Sequence, residues 1–245
     1  MMKTIIILLF VVIFLILSIP FLGIMWIYSK LNRKKADLIQ LRTIQILFKF
    51  ILFMSGAKIT VNGKENLPDK DEAVLYVCNH LSIFDIVVTY TMCPGLTGYI
   101  SKDSIEKIPL LSLWMKRLHC LFLNRTDVKE GLKTILSAID LVKSGISICI
   151  FPEGTRNKDS AHPENMAPFK DGSFKIAQKT GCKIVPIAIK GTAEIFEDHL
   201  PWIKSHPVTV SYGAPIELSS LSKEDSKHLG AYAQNIVLQM LSEMD

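Results

Sequence analysis

An uncharged apolar segment near the N-terminus is the feature that most restricts how this chain can fold. Residues 5–28 contain no charged side chain and consist almost entirely of Ile, Leu, Val, Phe and Met. As a helix rising about 1.5 Å per residue, the segment would be roughly 36 Å long. That is enough to cross a hydrocarbon core of about 30 Å. The sequence therefore predicts a helix that anchors the protein in a membrane.

The residues on either side of this segment predict its orientation. Only Lys3 and the terminal amine precede it, whereas it is followed by Lys30, Arg33, Lys34 and Lys35. A secretory signal peptide would have a shorter apolar region and a small-residue cleavage site, so a retained anchor is favoured. Because Lys and Arg accumulate on the cytoplasmic side, we expect a cell-membrane protein whose following domain lies on the cytoplasmic face.

Residues 1–56 leave two structural questions open, one about the apolar helix and one about the helix that follows it. Pro20 and Gly23 allow either a kinked span or a bend that returns the chain to the same face. Residues 38–54 then show the apolar spacing of an amphipathic helix, with Leu38, Leu41, Ile44, Leu47, Phe48, Ile51 and Leu52 on one side. This helix could pack on the domain core, but its position next to the anchor favours a helix lying in the membrane interface. Residues 1–56 are thus predicted to form the anchor and this helix.

Residues 57–245 show no repeat or linker and are predicted to form one domain. Short apolar strands are expected at 59–61, 73–78, 97–101, 120–123, 146–151, 183–189 and 208–212, with helical patterns between several of them. The clearest helix begins near Asp127, with Glu130 completing a capping box, and ends at Gly145. It places one apolar face at Val128, Leu132, Ile135, Leu136, Ile139 and Val142. This alternation predicts an α/β fold, a mixed and mostly parallel sheet covered by helices.

Charge and cysteine content narrow the classes of partner. The net charge of +5 is spread over segments that also carry Asp and Glu, which argues against a nucleic-acid partner. It suits an anionic membrane surface or anionic substrates, and equally a protein that is merely soluble. The five cysteines include no CxxC pair, so neither a disulfide framework nor a metal site is predicted. Free thiols fit a reducing compartment.

A histidine and a carboxylate follow the predicted strand at 73–78. His80 and Asp85 can form a dyad in which the carboxylate orients the imidazole and the imidazole acts as general base. A helix-capping Asp beside a core His is the ordinary explanation for this spacing when it occurs alone. The other five histidines have no comparable partner and are expected to be surface or packing residues. Cys78, in the same apolar strand, is expected to be buried and inert.

Two further groups of polar residues follow predicted strands. The first comes directly after the strand at 146–151 and reads Phe151, Pro152, Glu153, Gly154, Thr155, Arg156. Gly154 permits a tight turn, and donors on Thr155 and Arg156 suit a phosphate, although a structural turn with an Arg–Glu ion pair is equally compatible. The second consists of Lys102 and Arg125, each of which alone would be a solvated charge. Together with a His/Asp pair they favour a dianionic phosphate.

With these residues in view, the chain resembles the glycerophospholipid acyltransferases, in particular the branch that acts on lysophosphatidic acid. That family has the order NHxxxxD, a basic segment, FPEGTR and a VP-containing strand, and the four blocks occur here at 79–85, 98–125, 151–156 and 185–189. The resemblance covers roughly residues 30–215. It implies the same α/β fold and transfer of a fatty acyl group from a thioester to the sn-2 hydroxyl of lysophosphatidic acid, which gives phosphatidic acid.

The resemblance also implies roles for individual residues. His80 would be the general base and Asp85 its orienting partner, with Lys102, Arg125 and Arg156 as phosphate contacts. Glu153, Gly154 and Thr155 would shape the substrate pocket, and Pro186 would lie on the acyl-donor side, although a Pro in a strand could also mark an edge. The implied co-substrate is acyl-CoA or acyl carrier protein, with membrane lipids as further partners and neither a cofactor nor a metal.

Three other functions compete with this one. The same motifs would serve an acyltransferase for glycerol 3-phosphate, another lysophospholipid or a lyso-aminolipid. A thioesterase or lipid hydrolase could use His80 and Asp85 to activate water or a serine, but the chain has no GxSxG nucleophile elbow. A non-catalytic lipid-binding protein is disfavoured because His80, Asp85, Glu153 and Arg156 all occur together.

Overall fold

A seven-stranded sheet runs through the centre of the protein, and helices cover both of its faces. The computed structural model describes residues 1–244. The strands are β1 (Lys58–Asn62), β2 (Leu75–Cys78), β3 (Thr97–Lys102), β4 (Leu121–Leu123), β5 (Ser147–Ile150), β6 (Ile184–Lys190) and β7 (Pro207–Tyr212). The helices are α1 (Met2–Leu31), α2 (Arg33–Ser55), α3 (Ile83–Tyr90), α4 (Pro109–Arg117), α5 (Val128–Lys143), α6 (Lys175–Thr180), α7 (Lys223–Lys227) and α8 (Leu229–Ser242).

The sheet has the order β1-β7-β6-β2-β5-β3-β4, and every neighbouring pair is parallel except β6–β7. The predicted mixed, mostly parallel α/β fold is confirmed. Strands β2 and β5 are buried on both faces, which explains why they read as continuous apolar runs rather than alternating ones. Strand β6 lies between β2 and β7, so the interpretation of Pro186 as an edge residue is wrong.

The core is divided by the sheet into two apolar clusters. One contains Leu41 of α2, Phe84 of α3 and Trp114 of α4. The other contains Ile139 of α5 and Val237 of α8, together with residues of α6. Each cluster seals one face of the parallel strands from water, as a sheet buried on both sides requires.

Helix α5 differs from its prediction in two details. Asp127 caps it by accepting from the backbone N–H groups of Lys129 and Glu130, but the Glu130 side chain pairs with Lys133 instead of completing a capping box. Ile139 and Val142 are buried as expected, whereas Val128, Leu132 and Leu136 are exposed. The first half of α5 lies beside β4, where the sheet ends, so no further strand is present to cover that part of its apolar face.

The N-terminal region is a hairpin of two antiparallel helices. Helix α1 continues through Pro20 to Leu31, so a bend that returns the chain at Pro20 and Gly23 is wrong. The chain instead turns at Asn32 and comes back as α2. At the far end of the hairpin, the Lys3 ammonium donates to the carbonyl of Ser55 at 3.2 Å. The two helices therefore lie side by side over most of their length.

Helix α1 also contacts the rest of the protein along its length. Near its start, the Thr4 hydroxyl accepts from the backbone N–H of Ile203 at 2.7 Å, and near its middle the Ser18 hydroxyl accepts from the indole N–H of Trp114 at 2.8 Å. Its other side exposes a large apolar surface that includes Ile5, Ile6, Leu8, Leu9, Val12, Ile13, Ile16, Leu17, Ile19, Ile24, Trp26 and Ile27. Both hairpin helices are long and apolar enough to cross a membrane, which supports membrane association.

The apolar stripe predicted for α2 faces the protein core. Leu41, Ile44, Leu47, Ile51 and Leu52 are buried, and Leu38 and Phe48 pack against the same cluster. The stripe is buried because α1 and α3 lie against α2. The helix is therefore packed on the core through this stripe, rather than using it to face the membrane interface. The division at residue 56 stays a prediction.

One histidine outside the predicted dyad has a buried acidic partner. The His119 Nε2 atom lies 2.9 Å from Oδ2 of Asp37, and both side chains are almost fully buried. The expectation that none of the other five histidines has a comparable partner is therefore wrong. Asp37 is in α2 and His119 precedes β4, so this pair links the hairpin to the sheet across 82 positions of sequence. That separation explains why local spacing did not indicate it.

The two ends of the hairpin lie at opposite ends of the parallel strands, one near their C-terminal ends and the other near their N-terminal ends. Ser55 leads into β1, whose start pairs with the start of β7 close to the end of β6. At the other end, Lys34 pairs with Asp71, which precedes β2, at 2.9 Å. The basic turn at 30–35 is thus far from the edge where β2, β5 and β6 end, and the N-terminus of α1 is close to it.

Candidate active site

The histidine and carboxylate that follow β2 form a dyad. The Nδ1 atom of His80 lies 2.7 Å from Oδ2 of Asp85, with Asp85 fully buried and the His80 side chain only slightly exposed. Because the carboxylate accepts a hydrogen bond at Nδ1, that nitrogen carries the proton and Nε2 is left to accept one. The imidazole also stacks on the ring of Phe151, with centroids 4.0 Å apart, which fixes its plane.

Asp85 caps helix α3 as well as orienting His80. Its Oδ2 atom accepts from the backbone N–H groups of Leu81 and Ser82 at 2.7 and 2.8 Å, and its Oδ1 atom accepts from the Thr192 hydroxyl at 2.5 Å. Ser82 is the N-cap residue of α3 and forms a capping box with Asp85. The helix-cap and dyad interpretations of this spacing are therefore both correct, since one carboxylate performs both roles.

Two further side chains hold the backbone around His80. The Asn79 amide donates to the carbonyl of Ile189 at 2.9 Å and accepts from the N–H of the same residue at 2.8 Å, which joins the end of β2 to β6. The Glu153 carboxylate accepts from the backbone N–H of His80 at 2.6 Å and from that of Ala167 at 3.2 Å. The backbone position of His80 is thus fixed by residues that come from three different segments.

Glu153 is a buried carboxylic acid rather than part of the cavity wall. Its residue is 2% exposed. Burial raises the pKa of Glu153 to about 7, although the two backbone N–H donors act in the opposite direction. The structure places this residue behind the cavity wall, where its carboxyl oxygens accept from the backbone of His80 and Ala167.

The loop that follows β5 carries the remaining predicted contacts. Gly154 adopts a φ of +75°, and a Cβ there would lie 2.6 Å from the Lys170 ammonium, so the turn strongly favours glycine. Thr155 and Arg156 are exposed on the same loop. The Arg156 guanidinium pairs with Glu197 at 2.7 Å. The Arg–Glu ion pair expected for a structural turn therefore does form, but the partner of Arg156 is Glu197 rather than Glu153.

His80 lines a large cavity on the side of the sheet where the parallel strands end. The cavity has a volume of about 810 Å³, and its wall includes Gly154, Thr155 and five basic residues, Lys102, Arg125, Arg156, Lys158 and Lys170. Apolar side chains such as Ile86, Ile100 and Phe151 form another part of the wall. Burial lowers the pKa of the Arg125 guanidinium, because water is partly excluded around it. Of the predicted site residues, Asp85 and Glu153 lie behind the wall and the other six line it.

Several site residues were not singled out from the sequence. Lys158 comes from the long connection after β5, while Thr192 and Glu197 come from the connection after β6. Only the fold brings these segments to one strand edge. In a parallel sheet, the segments that follow the strands all lie on the same side. This rule alone indicates that residues following β6 lie next to the site.

The two potential nucleophiles next to His80 in sequence, Cys78 and Ser82, are not placed to attack a substrate in the cavity. Cys78 is fully buried, and its burial raises the pKa of the thiol well above the usual range, as expected for an inert cysteine. The Ser82 hydroxyl accepts from the N–H of Phe84 and donates to Glu197, so its proton is directed away from His80. The geometry favours a nucleophile that enters from the cavity.

The raised pKa of Glu153 predicts how stability depends on pH. In the unfolded chain this carboxyl ionises near pH 4.5, but in the folded protein only near pH 7, so stability falls as pH rises between these values. The loss is up to about 3 kcal/mol. Gln cannot ionise, so Glu153→Gln removes this part of the pH dependence. We expect the unfolding free energies of wild type and variant, measured by denaturant titration in detergent, to converge or cross as pH rises from 5 to 8.

Glu65→Gln, on an exposed turn, is the control for the loss of a carboxyl group. A difference between wild type and Glu153→Gln that stays constant between pH 5 and pH 8 would contradict the prediction.

Comparison with known proteins identifies the family. Residues 58–190, which include both β2 and the loop after β5, match the family model described as Acyltransferase. A chloroplastic 1-acyl-sn-glycerol-3-phosphate acyltransferase of Brassica napus is 34% identical over 183 residues, covering 74% of this chain and 52% of that protein. A 1-acyl-sn-glycerol-3-phosphate acyltransferase of Borreliella burgdorferi is 29% identical over 195 residues, covering 79% of this chain and 75% of that protein. The chain thus spans about half the length of the Brassica relative.

A solved structure shows the same fold. The crystal structure of the 1-acyl-sn-glycerophosphate (LPA) acyltransferase of Thermotoga maritima superposes with a TM-score of 0.81. The match covers 100% of this chain and 96% of the other, at 24% sequence identity. The fold therefore agrees over the whole length, including the N-terminal hairpin. Together with the match over residues 58–190, which spans both the dyad and the FPEGTR loop, this means that the chain belongs to the acyltransferase family.

Proposed function

We propose that the protein transfers a fatty acyl group from a thioester to the sn-2 hydroxyl of lysophosphatidic acid, producing phosphatidic acid. The observation that carries this proposal is that a general base and five cations share one cavity with an apolar wall. A lysophosphatidic acid needs all three environments, for its hydroxyl, its phosphate and its acyl chain. The relatives in Brassica napus and Borreliella burgdorferi, named for 1-acyl-sn-glycerol-3-phosphate, support the same acceptor.

The dyad supports direct transfer. The acceptor hydroxyl oxygen attacks the thioester carbonyl carbon while Nε2 of His80 takes its proton, and Asp85 stabilises the imidazolium that forms. When the tetrahedral intermediate collapses, the C–S bond breaks, and the imidazolium returns the proton to the thiolate. The products are an ester and a free thiol, so no acyl-enzyme forms. The reaction involves no oxidation or reduction. We propose that its only co-substrate is an acyl thioester, either acyl-CoA or acylated acyl carrier protein.

The dyad predicts a large effect of one substitution. His80→Ala should reduce transfer at least a hundredfold, since general bases contribute about 10²–10⁴ in rate. We would measure ester formation in membranes from labelled acyl-CoA or acyl carrier protein, with lysophosphatidic acid, glycerol 3-phosphate or lysophosphatidylcholine as acceptor. Repeating the assay with a chelator tests the absence of a metal requirement.

Each outcome of this assay has a definite meaning. Transfer to lysophosphatidic acid that depends on His80 would establish the proposal. Transfer to a different acceptor would keep the mechanism and change the substrate, while release of free fatty acid alone would favour a thioesterase. Activity that survives His80→Ala would remove the general base from the mechanism.

The cavity cations are proposed to bind the acceptor phosphate. Lys102, Arg125 and Arg156 come from the ends of β3, β4 and β5, and Lys102 and Arg125 form no ion pair with side chains of residues 1–244. The guanidinium of Arg125 offers a planar set of N–H donors that can bind a phosphate dianion through two hydrogen bonds. We therefore expect Arg125→Ala to raise the KM for lysophosphatidic acid about tenfold.

The same variant should leave hydrolysis of the acyl thioester in the absence of acceptor within about twofold of wild type, because no phosphate takes part. Lys129→Ala, an exposed lysine on α5 outside the cavity, is the matched control. An unchanged KM in Arg125→Ala would show that this side chain does not contact the acceptor.

We propose that the hairpin holds the protein on the cytoplasmic face of the cell membrane. The exposed apolar side of α1 supports a membrane contact, and the basic turn at 30–35 supports the cytoplasmic orientation. Protease added to right-side-out spheroplasts should leave the domain intact, whereas protease added to inside-out vesicles should degrade it. The opposite pattern would reverse the orientation.

A further inference from the structure

An acidic residue outside the FPEGTR loop links the dyad to the cavity arginine. Glu197 lies in the 3-10 turn Glu197–His199, between β6 and β7. Its Oε1 atom accepts from the Arg156 guanidinium at 2.7 Å and from the backbone N–H of Ile83 at 2.9 Å. Its Oε2 atom accepts from the Ser82 hydroxyl. The Glu197 side chain is 15% exposed, whereas that of Arg156 is 51% exposed.

The donors to Glu197 belong to two parts of the site. Ser82 and Ile83 form the N-terminus of α3, and Ser82 shares its capping box with Asp85, which orients His80. Arg156 belongs to the loop after β5, which lines the cavity. One carboxylate therefore connects the segment that holds the base to a cation on the cavity wall.

We propose that Glu197 is a positioning residue that sets the Arg156 guanidinium at a fixed place relative to the His80–Asp85 dyad. The proposal rests on the function proposed above. In lysophosphatidic acid, the reacting sn-2 hydroxyl and the sn-3 phosphate ester are on adjacent carbons, so their separation varies little. If the distance between the base and the phosphate-binding cation is also fixed, the site has the spacing that this acceptor requires before the acceptor binds.

The geometry leaves Arg156 able to bind a phosphate while it is paired. A guanidinium has five N–H donors in a planar fork, and Glu197 engages one terminal nitrogen. The half-exposed side chain lines the cavity, and the contact with Glu197 does not occupy its other N–H donors. By contrast, Lys102, Lys158 and Lys170 have long flexible stems and form no ion pair within residues 1–244, so they supply charge without a fixed position.

The opposite role for Glu197 would be that of an anion that competes with the phosphate. Two of its three donors come from the start of α3 and stay in place whether or not Arg156 is engaged. The carboxylate is therefore held by the protein even if Arg156 moves to a ligand. The cavity wall also has five basic residues against Glu197 and Asp198, so it still favours an anion. These contacts favour positioning over competition.

The test separates phosphate recognition from the chemistry of the dyad. Glu197→Gln and Glu197→Ala would be assayed with lysophosphatidic acid, with a monoacylglycerol that lacks the phosphate, and without acceptor to follow thioester hydrolysis. We expect the KM for lysophosphatidic acid to rise about tenfold in Glu197→Ala and less in Glu197→Gln, which retains an acceptor oxygen. Transfer to monoacylglycerol and hydrolysis should change by a clearly smaller factor, since they lose only the contacts of Glu197 with Ser82 and Ile83.

Two controls complete the experiment. Glu72→Gln removes a carboxylate that pairs with Lys183 at 3.1 Å, near the start of β2 at the opposite edge of the sheet, and should leave all three reactions unchanged. The double variant Glu197→Ala/Arg156→Ala should have a KM for lysophosphatidic acid no higher than Arg156→Ala alone, since both changes act through one guanidinium.

The alternative outcomes are distinct. A lower KM in Glu197→Ala would identify a competing anion, and equal losses in all three reactions would identify a purely structural role; either overturns the inference. A wild-type protein that transfers to lysophosphatidic acid with unchanged KM in both variants would overturn the inference alone. A wild-type protein that does not acylate lysophosphatidic acid would overturn the proposed function as well.

Discussion

The hydrogen bonds to the buried carboxylate of Asp85 hold the site together. Four donors reach it, from His80, Leu81, Ser82 and Thr192. A buried charge is tolerated only when such partners compensate for the loss of water. Here those partners are the imidazole of His80, the backbone just before α3 and the hydroxyl of Thr192, which follows β6. The need to satisfy one carboxylate therefore joins two segments that are 107 residues apart in the chain, and His80 is oriented by the same set of bonds.

The local chemistry of the site could be predicted from the sequence, but the packing between distant segments could not. The strands were visible as apolar runs, and the residues following β2, β3, β4 and β5 were identified because parallel strands place such residues at one edge. Glu197 and Thr192 have no distinguishing local pattern, and their roles arise only when β6 lies beside β2. The family resemblance predicts that Glu153 shapes the pocket, whereas in the structure its buried carboxylate accepts from the backbone N–H of His80. Periodicity identifies the apolar face of α5 but not whether a sheet covers that face. It therefore does not predict that the first half of α5 is exposed.

The antiparallel pair β6–β7 determines where the hairpin meets the site. Because β7 runs against β6 and parallel to β1, the start of β1 lies at the edge where β2 and β5 end. The end of α2 and the beginning of α1 are consequently close to the cavity, and the basic turn at 30–35 is remote from it. A fully parallel sheet would have reversed this relation. The single change in strand direction thus couples the apolar helices to the cavity edge.

The contacts of α1 with residues far along the chain have a consequence for biosynthesis. Thr4 bonds to Ile203 and Ser18 to Trp114, yet α1 leaves the ribosome long before either partner is made. During that interval its whole apolar circumference has no protein surface to cover it. A bilayer reached during this interval would cover that surface, so the structure favours contact of α1 with lipid before the domain closes.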